Sequence, residues 1–182
     1  MESIEKLDLD KTESEQYEST KMFELKKWLK RLPQDIEYNA IDFGSGKGRV
    51  LVELSNHENF KKVIGIEISS KLNAIAERNI KIEGCNNINV LTCNAIDTPS
   101  EILICSNFFF FYNPFPYKVF KEVFKKIETS LQSENKRCVI VYFNPVYSNI
   151  IESSSFFEKK MICKNALSNA DTYIYLEGFN CD

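Results

Sequence analysis

Three of the six glycines in this chain lie close together, at Gly44, Gly46 and Gly48, directly after an apolar run that ends at Phe43. One acid, Asp42, precedes them, and an apolar-periodic segment follows them. Glycine permits a positive φ and lets a ligand approach the main chain closely. The pattern predicts a ligand-binding turn between a strand and a helix. Its two common ligands are a nucleotide phosphate and the methionine end of S-adenosylmethionine.

The order of residues within this turn decides between those two ligands. A P-loop has the pattern G-x-x-x-x-G-K-[ST], whereas Lys47 is followed here by Gly48. A dinucleotide turn has the pattern G-x-G-x-x-G, whereas this chain has G-x-G-x-G. Asp42 is poorly suited to a pyrophosphate, but it suits a ligand that carries an ammonium and a sulfonium. The turn therefore favours the methionine end of S-adenosylmethionine.

Three further segments place polar residues where strands are predicted to end. Glu67 ends the apolar run of "KKVIGIEIS", at about the spacing where an acid hydrogen-bonds ribose hydroxyls. Asn94 follows the third strand, and its side chain can pair with an adenine edge. The segment "YNPF", Tyr112–Phe115, ends the fourth strand. Ligands of open parallel sheets bind beyond the carboxyl ends of the strands, so we expect these segments to meet the glycine turn.

Hydrophobic periodicity predicts the elements that carry these residues. An amphipathic helix is expected from about Glu15 to Leu32, where Pro33 stops it. Five strands alternating with helices follow, with a short polar connection before "NFFFFYNPF", whose phenylalanines indicate a strand buried on both faces. The segments "SFFEKKMICK" and "DTYIYLEGF" predict two final strands. The predicted fold class is α/β, Rossmann-like and doubly wound, with a mostly parallel seven-stranded sheet and a C-terminal antiparallel hairpin.

Composition narrows the class of protein further. The 182 residues suit one domain, with an N-terminal helical segment at 1–32 that caps the site and a core at 33–182. A net charge of −3 argues against a protein wrapped in nucleic acid. The cysteines form no C-x-x-C pair, and the single histidine, His57, has no cysteine or acid at ligand spacing, so no metal site is expected. The polar, acidic start and the absence of a long apolar stretch predict a cytoplasmic protein without a membrane partner.

Four motifs, "DFGSGKG", "GIEIS", "CNAID" and "FFYNPF", resemble in order and spacing the cofactor motifs of class I S-adenosylmethionine-dependent methyltransferases. The resemblance covers roughly residues 15 to 180. It is strongest to small, generically described bacterial methyltransferases, with a looser similarity of the glycine turn to the histone-lysine type. It implies that S-adenosylmethionine is the cofactor. The lack of a target-recognition domain favours a small molecule or an exposed protein side chain as acceptor over duplex nucleic acid.

The resemblance also implies roles for individual residues. The residues that would surround the methionine moiety are Asp42, Gly44, Ser45, Gly46 and Gly48. Those that would hold the ribose, pack on the adenine and read its amino edge are Glu67, Ile68, Asn94 and Ala95. A Y-x-x-[ST] element that closes over the cofactor in some relatives corresponds to Tyr17 and Thr20. The residues expected on the acceptor side of the pocket are Tyr112, Asn113 and Phe115, with Asn113 also touching the cofactor.

Two departures from the family pattern leave alternatives open. Asn94 stands where the family usually has an acid, and "NPFP" stands where enzymes that methylate exocyclic amines have [DNS]-P-P-[YF]. The second departure disfavours base N-methylation. Both departures favour a catalytically inactive binding or scaffold protein with the same fold, which the intact glycine turn opposes. An NAD-dependent oxidoreductase is disfavoured by the turn spacing and by the lack of a catalytic His, Tyr-Lys or Cys.

Overall fold

Strands and helices alternate along the chain in the computed structural model, which describes residues 24–112, 115–132, 136–164 and 171–177, without the side chains of residues 159 and 160. The strands are β1 Tyr38–Phe43, β2 Phe60–Glu67, β3 Ile88–Thr92, β4 Phe108–Tyr112, β5 Cys138–Phe143, β6 Glu158–Cys163 and β7 Thr172–Glu177. The helices are α1 at residues 24–29, α2 Arg49–Ser55, α3 Ser70–Glu83, α4 Ser100–Cys105, α5 Tyr117–Gln132 and α6 Ser148–Glu152, with a 3₁₀ helix at Ala95–Asp97.

The seven strands form one sheet in the order β3-β2-β1-β4-β5-β7-β6. The first five strands are parallel to one another, and β7 pairs antiparallel with both β5 and β6. The winding reverses between β1 and β4, where ligands of doubly wound sheets bind. The predicted α/β, Rossmann-like architecture with a C-terminal antiparallel hairpin is confirmed.

The central strand β4 shows why the sheet is buried on both faces. Phe109 and Phe111 pack into the cluster that contains α5, while Phe108 and Phe110 pack into the cluster that contains α1 and α2. All four rings are at most 4% exposed. Successive side chains of a strand point to opposite faces, so an unbroken aromatic run is what a doubly covered strand requires.

The structure differs from the prediction between the third and fourth strands. The expected polar connection contains helix α4, whose Leu103 is 1% exposed and packs in the same cluster as α5. Six residues are too few to show a helical period, so pattern alone could not reveal α4. The predicted N-terminal helix is described only at residues 24–29; its first part lies outside the described residues.

Candidate functional site

The glycine turn follows β1, and each of its three glycines has a left-handed backbone, with φ between 54° and 80°. The backbone N–H groups of Gly44 and Ser45 donate to the carbonyl of Ile66 at 2.8 and 3.2 Å, which ties the turn to β2. A Cβ on Gly48 would lie 3.0 Å from the Cβ of Ala76, so Gly48 allows α2 to approach α3. A Cβ on Gly46 would meet nothing within 4 Å, so Gly46 borders open space.

Glu67, at the end of β2, is tied to this turn. Its Oε2 accepts a hydrogen bond from the Gly46 N–H at 3.0 Å, and its Oε1 accepts one from the Ser69 N–H at 2.9 Å. The residue is 9% exposed. A carboxylate offers about four lone-pair sites, so two bonds to the backbone orient Glu67 and leave capacity for ligand hydroxyls.

Asp42, near the end of β1, has a carboxyl group whose pKa is strongly raised by its surroundings. It is 3% exposed. Burial, together with the nearby charge of Glu67, raises the pKa of Asp42 to about 8. Two carboxylates that share a buried region resist ionising together, and a cation placed between them reverses that effect. The site therefore suits a positively charged ligand.

Two cavities meet at Gly44. Cavity A has a volume of about 240 Å³ and is lined by Leu25, Trp28, Asp42, Gly44, Ser45, Lys47, Arg49, Val50, Phe110, Tyr112 and Phe143. Cavity B has a volume of about 230 Å³ and is lined by Gly44, Ile66, Glu67, Ile68, Cys93, Asn94, Ala95, Phe115, Pro116 and Val119. Because Gly44 lines both, one elongated ligand can occupy the two cavities on either side of this residue.

Cavity A combines charged groups with an aromatic wall. Asp42 supplies the acid, and Lys47 and Arg49 supply two cations. The indole ring of Trp28 stacks on Phe110 with ring centroids 5.9 Å apart. Within the described part of the chain, the buried Trp28 Nε1 has no hydrogen-bond partner. An acid and two cations in one cavity suit a ligand group that carries both an ammonium and a carboxylate.

Cavity B has apolar walls and a polar end. Ile68 is 70% exposed at its rim, and Phe115 contacts the ring of Phe43 edge-on with centroids 6.4 Å apart. At the polar end, Asn94 begins the 3₁₀ helix, and its side chain accepts a hydrogen bond from the Ile96 N–H at 3.2 Å. Glu67 lies on the same cavity. A planar base with an attached sugar matches this combination of surfaces.

The structure distributes the residues predicted from sequence between the two cavities. In cavity A it places Asp42, Gly44, Ser45 and Tyr112. In cavity B it places Gly44, Glu67, Ile68, Asn94, Ala95 and Phe115. Gly46 and Gly48 belong to the turn but are not among the residues that line either cavity. Phe115 and Tyr112, predicted to share one pocket, line different cavities, while Tyr17, Thr20 and Asn113 lie outside the described residues.

Several lining residues were not predicted from the sequence. Cavity A owes its aromatic and cationic character to Trp28, Lys47, Arg49, Phe110 and Phe143. Phe110 pairs in register with Asp42 across β4 and β1, a relation that the structure reveals and the sequence alone does not. Lys47 also lies inside the glycine turn itself.

The described residues also bear on metal binding and on membrane insertion. No group of three or more His, Cys, Asp or Glu among them could hold a metal ion. Contrary to the sequence analysis, an acid does lie near His57, because the Glu53 Oε1 is 3.5 Å from its Nε2. No helix in the described ranges is long and apolar enough to cross a membrane.

Comparisons with known proteins bear on the family and the fold of this chain. A family model described as "Putative methyltransferase" matches residues 37–133. No curated protein matches the chain in sequence. A SAM-dependent methyltransferase from Aquifex aeolicus superposes with a TM-score of 0.66 at 17% identity, over 93% of this chain and 100% of that one.

Two further solved structures share the fold. An rRNA methylase from Streptococcus thermophilus superposes with a TM-score of 0.59 at 13% identity, over 78% of this chain and 87% of that one. A ribosomal protein L11 methylase from Lactobacillus delbrueckii subsp. bulgaricus superposes with a TM-score of 0.62 at 12% identity, over 90% and 79%. At such identities the likeness concerns the fold.

Proposed function

Because the chain belongs to the methyltransferase family whose model covers more than half of it, we propose that it transfers a methyl group from S-adenosylmethionine to a small molecule or a protein side chain. The observation that carries this proposal is the pair of cavities that meet at Gly44. Their linings differ as the two halves of S-adenosylmethionine differ. Cavity A suits an amino acid, and cavity B suits a nucleoside.

Residues of the chain fit this cofactor on both sides of Gly44. In cavity A, Asp42 would pair with the ammonium, whose positive charge would offset the burial and the charge of Glu67 that raise the pKa of the Asp42 carboxyl group to about 8. Lys47 and Arg49 would face the carboxylate. Ser45, Gly46 and Gly48 shape the turn around the methionine.

In cavity B, Glu67 would accept from the ribose hydroxyls while its two backbone bonds hold it in place. The residues that would contact the base are Ile68, Asn94 and Ala95.

The cofactor supplies a methyl carbon already activated by the attached sulfonium. The protein must therefore mainly orient the acceptor and keep water out. Tyr112 is 37% exposed beside cavity A, and its ring contacts Phe143 with centroids 4.8 Å apart. We assign the acceptor side of the pocket to Tyr112 and to Asn113, which lies outside the described residues. Phe115, expected from the sequence on the same side, lines cavity B instead and would face the nucleoside. The aromatic side chains of Tyr112 and Phe143 beside cavity A favour a compact or planar acceptor group.

The N-terminal segment, residues 1–32, is proposed to cap the cofactor within a single domain of 182 residues. Support comes from Leu25 and Trp28, which line cavity A and are at most 3% exposed. The assignment of Tyr17 and Thr20 to the closure of the site stays a prediction, because both lie outside the described residues.

The test of this function has two stages. Isothermal titration calorimetry with S-adenosylmethionine measures binding, with Glu67→Gln as the binding-deficient control. An amide has one oxygen, so either the Gly46 or the Ser69 N–H loses its acceptor in that variant. Tritium-labelled S-adenosylmethionine is then incubated with the protein and with small-molecule, protein or RNA fractions of a cell extract.

Label in the small-molecule or protein fraction supports the proposal. Label in RNA would replace the proposed acceptor, and the rRNA methylase that shares the fold makes this a necessary arm. Binding without transfer to any fraction would favour the alternative of an inactive S-adenosylmethionine-binding protein. An absence of binding would refute the methyltransferase proposal as a whole.

A further inference from the structure

The carbonyl of Lys47, inside the glycine turn, is held by helix α3. The Asn79 Nδ2 donates a hydrogen bond to this carbonyl oxygen at 2.9 Å. A carbonyl oxygen can only accept, so the amide atom of Asn79 that faces Lys47 is the nitrogen. Ala76 lies one turn earlier on the same face of α3, and a Cβ on Gly48 would lie 3.0 Å from the Ala76 Cβ. Helix α3 therefore contacts two successive residues of the turn, one by a hydrogen bond and one by close packing.

This bond holds one side of a peptide unit whose other side is held as well. The Lys47 carbonyl and the Gly48 N–H belong to the same planar unit. The Gly48 N–H donates to the Ser45 carbonyl at 2.9 Å. Gly48 has a left-handed φ of 79° and no Cβ, so its own covalent structure does little to resist rotation of this unit. The two hydrogen bonds, one on each side, therefore fix its orientation.

The preceding peptide unit carries the constraint to the acid at the end of β2. The Ser45 carbonyl, which accepts from Gly48, and the Gly46 N–H belong to this unit. The Gly46 N–H donates to the Glu67 Oε2 at 3.0 Å. A continuous chain of hydrogen bonds thus runs from the Asn79 amide through two peptide units to the Glu67 carboxylate. Hydrogen bonds in such a chain polarise one another, so loss of the first weakens the others.

Asn79 itself lies away from the proposed ligand. It is not among the residues that line cavity A or cavity B. It lines a third cavity, with a volume of about 510 Å³, on which Lys47 and Arg49 also lie. A substitution at Asn79 therefore changes no side chain that we assign to the cofactor.

We infer that Asn79 is a positioning residue for the cofactor, because it fixes the turn at Gly46 and orients the Glu67 carboxylate that would accept from the ribose. This inference rests on the proposed function, in which cavity B holds the adenosine half of the cofactor. Asn79 acts through the chain of hydrogen bonds and not by contact with the ligand.

The experiment removes the donor of Asn79 and compares the result with an asparagine outside the site. Asn79→Asp keeps the size of the side chain without its donor, and Asn79→Ala removes the amide without adding a charge. Asn59, just before β2 and so at the opposite end of this strand from Glu67, is the matched control, because its Nδ2 donates to the Gln34 carbonyl at 3.1 Å. It receives the same two substitutions, and thermal melting checks the fold of every variant.

The first measurement needs no ligand. Amide hydrogen exchange of Gly46 and Gly48, followed by NMR, reports the two bonds of the chain beyond Asn79. Both amides should exchange about three- to tenfold faster in the Asn79 variants, the effect of losing one hydrogen bond of ordinary strength. Wild-type rates are expected in the Asn59 variants.

The second measurement is the calorimetric affinity for methylthioadenosine and for its 2′-deoxy analogue, which lacks one ribose hydroxyl. The wild type should prefer the ligand with the complete ribose by about tenfold, the effect of one hydrogen bond to a carboxylate. The Asn79 variants should lower this preference to about threefold or less, and the Asn59 variants should keep it. A purely structural role of Asn79 would lower stability without changing the ratio of the two affinities.

Wild-type exchange rates in a folded Asn79 variant would overturn the inference, and so would faster exchange with an unchanged ratio of affinities. Equal binding of the two ligands by the wild type would also overturn it, because Glu67 would then have no role toward the ribose hydroxyl. A wild type that binds neither ligand would instead refute the proposed function, and the role of Asn79 toward the cofactor with it.

Discussion

Replacing Asp42 by asparagine should remove most of the pH dependence of cofactor binding. Burial and the charge of Glu67 raise the pKa of Asp42 to about 8 in the protein without ligand. With that value, about 1% of Asp42 is ionised at pH 6 and about half at pH 8. If the bound ammonium requires the carboxylate, the affinity should rise about 50-fold over this range, equivalent to about 2 kcal/mol.

The assay is calorimetry of S-adenosylmethionine binding near pH 6.5 in buffers that differ in their enthalpy of ionisation. The wild type should release nearly one proton per ligand, and Asp42→Asn should release nearly none. Titration of the ligand's own amino group is common to both proteins and cancels in the comparison. Methylthioadenosine, which lacks the amino acid, provides a second control, because it should release no proton from either protein.

The same carboxyl group predicts the pH dependence of stability. Between pH 4 and the folded-state pKa of about 8, the folded protein holds a proton on Asp42 that the unfolded chain has released. The free energy of unfolding should therefore fall as pH rises through this window, and Asp42→Asn should flatten the fall. Equal proton release by wild type and variant, together with parallel stability curves, would refute the assignment of Asp42 as the partner of the cation.

Three further substitutions test the turn and its surroundings. Gly46→Ala should weaken S-adenosylmethionine binding by about tenfold or more, whereas Gly84→Ala should leave binding unchanged. Both residues have a left-handed φ and open space for a Cβ, so the two variants should lose a similar amount of stability, about 1–2 kcal/mol. Equal binding by the two variants would contradict the role of Gly46. Gly65→Ala places a Cβ 2.6 Å from the Ser45 Oγ, so denaturant unfolding should show a loss of about 1–3 kcal/mol, and an unchanged midpoint would contradict this packing. Lys126→Met removes two hydrogen bonds to the 3₁₀ helix and should weaken methylthioadenosine binding several-fold, which unchanged calorimetric affinity would disprove.

The strand ends could be predicted from the sequence because each buried strand shows two local signals. In β2, for example, an apolar run marks the length of the strand, and the polar residue Glu67 marks its carboxyl end. Parallel pairing then brings such residues to one edge of the sheet without knowledge of any side-chain contact. The sequence therefore places the glycine turn, Glu67 and Asn94 at this edge of the sheet.

The wall of cavity A could not be predicted in the same way. Trp28 shows in the sequence only as an apolar position of a helix, and periodicity indicates which face it occupies but not its neighbour. Its place beside the site depends on stacking against Phe110, a contact between residues 82 positions apart that involves tertiary packing. Phe115 and Tyr112 show the same limit of sequence patterns, because these two aromatic residues are close in sequence and yet line different cavities.

Gly44 separates the two cavities by a single residue, and this has a consequence for turnover. A ligand whose two halves are joined across Gly44 is bivalent. Once one half is bound, the other half is present at its own cavity at an effective concentration on the order of millimolar. Neither cavity then needs to bind its own half tightly. Loss of the methyl group leaves the two halves joined, so the product keeps this advantage and loses only the positive charge on sulfur. The enzyme is therefore expected to be strongly inhibited by its own product, and its rate in a cell would depend on how quickly that product is removed.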